Sequence, residues 1–178
     1  STPERTETDP WGQLSKPRTA PGAVAAIVHH DNTFGTTEED AFRRDFTINA
    51  LFYDATTRSV IDYVGGLADL ERRIIRSIGD PRIRFVEDPV RMLRAVRFAA
   101  RLGFTIEPEA WNAILRHHVE IQKAAAPRVL EEISRLFAFR SAEKAFRLLR
   151  ESRMLVDMFP EIEAYFLGGG DTEEYCRF

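Results

Sequence analysis

Beyond Asp80 proline and glycine punctuate a hydrophobic pattern of helical period, and this confines the distal part of the chain to a succession of helices. Asp88-Pro89 pairs an N-cap candidate with proline at the first helical position. Met92, Leu93, Val96, Ala99 and Ala100 follow at helical spacing, and Gly103 ends the run. Pro108 opens a second helix carrying Trp111, Ile114 and Leu115, and Pro127 a third with Val129, Leu130, Ile133, Leu136 and Phe137. Ser141 stands where it can cap a fourth, with Ala145, Phe146, Leu148 and Leu149.

Upstream, the pattern changes to short strands and turns. Thr37–Arg43 is acidic at its start and suits one or two helical turns. Phe46–Tyr53 and Ser59–Val64 are rich in β-branched and aromatic residues, and residues 54–58 have the length of a hairpin loop. Ile74–Ile78 is a third strand candidate ending at Gly79, and Gly65-Gly66 reads as a turn between strand and helix. The whole is an α+β pattern. Four of the nine prolines fall within residues 1–22, so residues 1–30 are expected to be a flexible Pro-rich loop or terminus. Gly168-Gly169-Gly170 and the acidic residues after it read as a flexible tail, 167–178.

Several function classes fall away. With 44% hydrophobic and 30% charged residues over 178 positions, the composition is that of a globular protein. The longest apolar run, Ala23–Val28, has six residues, against the roughly 20 that cross a bilayer. No charged-then-apolar leader opens the sequence, so a cytoplasmic protein without a membrane partner is expected. Cys176 is the single cysteine and forms no internal disulfide or cysteine metal site. The pairs His29-His30 and His117-His118 are adjacent, so their side chains diverge on a helix or strand and make poor metal sites. There is no Gly-rich phosphate loop followed by Lys-Ser/Thr and no Gly-x-Ser-x-Gly elbow.

Charge is the richest local signal. Between Glu71 and Arg101 there are nine arginines and four acids, an excess of +5 in a chain whose total is −3. Arg91, Arg94, Arg97 and Arg101 fall within roughly a third of a helix's circumference at about 100° per residue. Such a stripe suits bidentate recognition of phosphate or a base edge; it equally suits a solvated face paired with Glu87, Asp88 and nearby acids. Asp88 is likewise open to two readings, an N-cap or one half of an Asp88–Arg91 pair that offers acceptor and donors to a nucleobase. A second signal is Arg43-Arg44-Asp45-Phe46-Thr47-Ile48-Asn49-Ala50-Leu51. Its guanidinium groups suit phosphates, and its carboxylate, hydroxyl and amide suit a ribose, although edge strands often begin with charges.

Three ordered motifs then carry a resemblance: Arg43 to Leu51, Gly65-Gly66-x-x-Asp69-Leu70, and Glu87-Asp88-Pro89-Val90-Arg91-Met92-Leu93-Arg94-Ala95-Val96-Arg97-Phe98. Together they resemble the bacterial poly(A) polymerase and tRNA CCA-adding nucleotidyltransferase family (class II), over about Asp31 to Phe166. Residues 31–40 look more like the poly(A) polymerase branch. The resemblance implies the distal strands of a nucleotidyltransferase head over 31–86, then a mainly helical neck and early body over 87–166. It implies nucleotide-binding roles for Arg43, Arg44, Asp45, Thr47, Asn49, Asp88, Arg91, Arg94 and Arg97. Asp88 and Arg91 would bond the base and select the nucleotide without a template, and Asp69 would link head and neck. The implied partners are ATP, as substrate, and an RNA 3′ end lying against the helices.

One departure stands beside the match. Family catalysis uses a Gly-Gly turn followed by a strand bearing Asp-x-Asp, which holds Mg²⁺, and no Asp-x-Asp occurs in this sequence. Glu7-Thr8-Asp9 and Glu38-Glu39-Asp40 come nearest and read as solvated acids. In the family the missing elements lie upstream, so Ser1 is expected to be an internal start, residues 1–30 the loop after the catalytic strand, and the chain inactive alone. Three expectations remain open: AMP addition to RNA, CCA addition to tRNA, and a non-catalytic RNA-binding module that uses the arginine face. Incomplete sheet edges would favour self-association.

Overall fold

A computed structural model describes residues 35–138 and 141–168. The expectations for residues 1–30, and for the tail beyond Gly168, lie outside them. None of the described helices is long and apolar enough to cross a membrane. The architecture is α+β and mainly helical, with two small two-stranded sheets.

Helix α1 (Thr37–Arg43) starts on a capping box: the Thr36 hydroxyl accepts the Glu39 N–H, and the Glu39 carboxylate accepts the Thr36 N–H. The strand expected over Phe46–Tyr53 is interrupted. Phe46 makes only a bridge to Ser77, Thr47–Asn49 is a 3₁₀ turn, and β1 is confined to Leu51–Asp54. Polar side chains cause the break. Asp45 accepts both the Phe46 N–H and the Asn49 amide, while the Thr47 hydroxyl donates to Asp69. These local bonds replace a sheet ladder.

The expected hairpin forms next, β1 pairing antiparallel with β2 (Ser59–Asp62) from Leu51↔Asp62 to Asp54↔Ser59. Asp54 braces its loop by accepting the Thr56 N–H and the Thr57 hydroxyl. Asp62 then accepts the N–H groups of Val64, Gly65, Gly66 and Leu67, which turns the chain into α2 (Gly66–Arg72). Both glycines are needed there. Gly65 has φ +82°, and a Cβ on Gly66 would overlap the Thr47 carbonyl.

The third strand is shorter than expected. Only Ile74–Ile75 (β3) is extended, and it pairs in parallel with Thr105–Ile106 (β4), a strand the sequence did not suggest. Asp80-Pro81 then opens α3 (Pro81–Glu87), a helix also not anticipated, with Asp80 accepting the Arg82 N–H as its cap. Helix α4 (Val90–Leu102) follows Pro89, and the Asp88 carboxylate serves two sides: the Val90 N–H at the helix start bonds it, and Arg128 meets both of its oxygens. Gly103, at φ +71°, ends α4 as expected.

Helices α5 (Pro108–His117), α6 (Ala126–Phe137), α7 (Ala142–Glu151), α8 (Met154–Met158) and α9 (Pro160–Leu167) complete the described chain. Ser141 precedes α7 but caps it only with its backbone carbonyl, which accepts the Ala145 N–H. Helix α4 lies at the centre, packed against α3, α6, α7 and both short strands. Its Met92, Leu93 and Val96 share one core with Phe46, Ile75, Phe85, Ile114, Leu136, Leu149 and Met154. On α6 the expected apolar face is rotated: Leu130 is 65% exposed and Phe137 is exposed, while Glu132 is buried.

Candidate functional site

The segment after α1, the start of α4 and one face of α6 enclose a cleft of about 800 Å³. The first contributes Arg44, Asp45 and Asn49, and the second Asp88, Arg91 and Arg94. Six residues from two motifs some forty positions apart thus meet around one space. The third wall, which sequence reasoning missed, is Arg128, Glu131, Glu132 and Arg135 of α6, with Val90 and Phe98 as apolar lining. The i, i+3, i+4, i+7 spacing of those charges on α6 is legible in the sequence, but nothing in it says what they face.

Asp45 is the buried hinge of the first wall. One carboxylate oxygen accepts the Phe46 N–H at 2.8 Å and Asn49 Nδ2 at 3.0 Å, and the other accepts Arg94 Nε at 2.6 Å. Arg94 Nη1 then reaches Glu132 Oε1 at 3.1 Å, and Glu132 Oε2 accepts Arg97 Nε at 2.7 Å. Burial opposes the charge on Arg94, but Asp45 and Glu132 overcome it and raise its pKa above the ordinary guanidinium value. Arg44 is pinned separately, by Asp40 and by the Asn49 carbonyl at 2.7 Å, and its guanidinium lies over the Phe52 ring.

Within the arginine stripe of α4, Arg94 and Arg97 are therefore neither bare nor solvated. Its members pair with acids, as the blander reading held, but with the distant Asp45 and Glu132 as much as with neighbours.

Asp88 and Arg91 form the far end of the cleft. Arg128 holds Asp88 by both oxygens, at 3.0 and 2.8 Å, whereas Arg91 Nε stays 3.8 Å away. Burial works against ionisation of Asp88, yet the Arg128 hydrogen bond and charge prevail and keep its pKa below the usual carboxylate value. Arg91 shifts the other way: burial first, then the charge of Arg84, lower its pKa. Its Nη1 is buried without a hydrogen-bond partner.

Three of the expected residues stand off the cleft. Arg43 is exposed beside a separate groove, and its carbonyl accepts from Arg84. Thr47 is buried against Asp69, which also holds Arg76, and Arg76 in turn bonds Glu107 at 2.6 Å. Arg97 is buried behind the wall, with its guanidinium 4.2 Å from the Phe98 ring centre. Donors and acceptors from three elements, bounding one open cleft, suit a ligand with anionic groups and hydrogen-bonding edges. Among the described residues no three His, Cys, Asp or Glu side chains gather to hold a metal. Glu38, Glu39 and Asp40 lie in the first turn of α1, where Glu39 serves the capping box and Asp40 pairs with Arg44.

Comparison with known proteins agrees with this layout. Residues 5–76 match the model of the poly A polymerase head domain, and residues 103–166 that of the probable RNA and SrmB-binding site of polymerase A. Poly(A) polymerase I of Escherichia coli O157:H7 is 43% identical over 161 residues, which is 90% of this chain and 35% of that protein. The multifunctional CCA protein of Nitrosomonas eutropha is 43% identical over 133 residues, 74% of this chain and 31% of that protein. Among solved structures, the Bacillus stearothermophilus CCA-adding enzyme in complex with CTP superposes with a TM-score of 0.64 at 39% identity. That match covers 67% of this chain and 30% of the other. The chain spans about a third of the length of the curated relatives it matches.

Proposed function

Because the chain belongs to the poly(A) polymerase and CCA-adding family of RNA 3′-end nucleotidyltransferases, we propose that its cleft selects ATP for AMP addition to RNA 3′ ends. The observation that carries this reading is the convergence of Arg44, Asp45 and Asn49 with Asp88, Arg91 and Arg94 on one space. Arg91 in this reading donates to acceptor atoms of the base, and Asn49 and Asp45 engage the ribose. In this reading residues 31–86 are the distal head and 87–166 the neck and early body, with the RNA 3′ end against the helices.

Two observations favour AMP addition over CCA addition. The match to poly(A) polymerase I covers 90% of the chain, against 74% for the CCA protein. Arg128 also occupies both oxygens of Asp88, while Arg91 stands 3.8 Å from the same carboxylate and is held less tightly. One reader fixed in one hydrogen-bonding state suits repeated addition of one base better than two bases in turn.

In the transfer itself the RNA 3′-hydroxyl attacks the α-phosphorus of ATP and pyrophosphate leaves. The family's Mg²⁺ has no fitting set of carboxylates here: the sequence holds no Asp-x-Asp, and the described residues form no metal cluster. No transfer step is therefore assigned to these residues. The 178-residue chain is expected to bind the nucleotide and not to polymerise. The test uses the full protein encoded by the reading frame that contains these residues, incubated with general RNA and with tRNA lacking CCA, given ATP or CTP separately. AMP addition to general RNA without CTP incorporation is the expected result; CTP incorporation at the tRNA end would reject the poly(A) assignment.

A further inference from the structure

Glu132 is a charged side chain only 4% exposed, on a helix outside all three sequence motifs. Buried carboxylates are costly unless fully partnered, and this one is partnered only by arginines: Arg94 Nη1 and Arg97 Nε, with Arg135 Nη1 farther off at 3.6 Å. Of these, Arg94 matters most to the cleft. Its guanidinium is a bridge, with Nε on Asp45 and Nη1 on Glu132. A planar guanidinium held at two edges has one orientation; held at one edge it can swing about that bond. Asp45 in turn fixes Asn49 through its other oxygen.

We propose that Glu132 is a positioning residue for the incoming nucleotide. Its two oxygens, both taken by arginines, lock Arg94, and through Arg94 they set Asp45 and Asn49, so that Glu132 governs the geometry of the ribose-facing wall from the α6 side of the cleft. This rests on the reading of the cleft as an ATP site. Helix α6 carries a second clamp one turn earlier, since Arg128 grips Asp88. Residues 128 and 132, four apart on one helix face, thereby hold the two aspartates of the cleft, Asp88 directly and Asp45 through Arg94.

The test is calorimetric titration of the 178-residue chain with ATP. Glu132→Gln keeps the shape but replaces the acceptor pair by one acceptor and one donor facing arginines. ATP affinity is expected to fall about tenfold, the size of one charge-assisted hydrogen bond. Glu132→Asp, which keeps the charge but draws it back from Arg94, should lose affinity in the same direction and serves if the Gln variant fails to fold. Leu136→Ala loosens the same helix through its core contact alone; it should lower the melting temperature yet hold ATP affinity within about twofold. The Arg94 Nη hydrogens, one of which Glu132 accepts, should lose their protection from exchange in both Glu132 variants and keep it in Leu136→Ala. Unchanged ATP affinity in the Glu132 variants, or an equal loss in Leu136→Ala, overturns the positioning role while leaving the nucleotide site standing. Absence of ATP binding by the unaltered chain overturns both.

Discussion

Arg128 and Asp88 are 40 positions apart, yet the guanidinium of one meets both carboxylate oxygens of the other, at 3.0 and 2.8 Å. The pair joins α6 to the residue that opens α4. It also holds the Asp88 carboxylate on the wall of the cleft, beside its bond to the Val90 N–H at the start of α4.

The same pair gives a pH signature. Asp88 titrates below its ordinary value of 3.8 in the folded chain, because Arg128 outweighs the effect of burial. A depressed carboxylate stabilises the fold above its unfolded pKa and loses that contribution as pH falls through the folded value. The melting-temperature gap between wild type and R128M should therefore be constant above about pH 5 and shrink as pH drops below 4. Thermal unfolding across that range checks it; a gap that widens in acid would be the wrong sign.

Gly65 and Gly66 should respond differently to alanine. At Gly66 the new Cβ meets the Thr47 backbone carbonyl, which cannot move without disturbing the turn that carries Asn49. A cost of about 2–4 kcal/mol is expected. At Gly65 nothing lies within 4 Å, so only the left-handed backbone resists, at about 1 kcal/mol. Urea unfolding of the two variants should rank them in that order.

Two Asp-Pro steps lie eight residues apart and look alike in sequence, but their carboxylates have different main partners. Asp80 accepts the Arg82 N–H at the start of α3, so D80A should cost about 1 kcal/mol. D88A releases Arg128 as well as the Val90 N–H, and its effect should appear in ATP binding as well as in stability. Urea unfolding and calorimetry on the two variants separate the roles.

Removing Glu132 altogether strands Arg97, whose side chain is 8% exposed, beside Arg94. E132A should cost about 3–5 kcal/mol, and the double variant R97M/E132L should regain most of it, because apolar side chains replace a buried ion pair well. Urea midpoints of the single and double variants test this.

What the sequence disclosed and what it hid follow one division. Helical spacing exposed α4 and its stop at Gly103, strand composition and loop length exposed the hairpin around residues 54–58, and the ordered motifs of the family resemblance pointed to Arg44, Asp45, Asn49, Asp88, Arg91 and Arg94, which meet in the cleft. These are local patterns or ordered motifs. The misses required knowledge of distant partners. Asp88 is gripped by Arg128 from another helix, and the strand after Phe46 broke because Thr47 found Asp69. Glu132 reads as one charge in an alternating stripe, and only the packing of α6 on α4 makes it the buried anchor of two arginines.

The account stands or falls on whether the cleft reads adenine through Arg91. Titration of the 178-residue chain with ATP and with CTP, repeated on R91A, measures this directly. Tighter binding of ATP than of CTP is expected, with ATP affinity falling at least about tenfold in R91A while the fold is kept. Equal or tighter binding of CTP, or ATP affinity indifferent to Arg91, would contradict it.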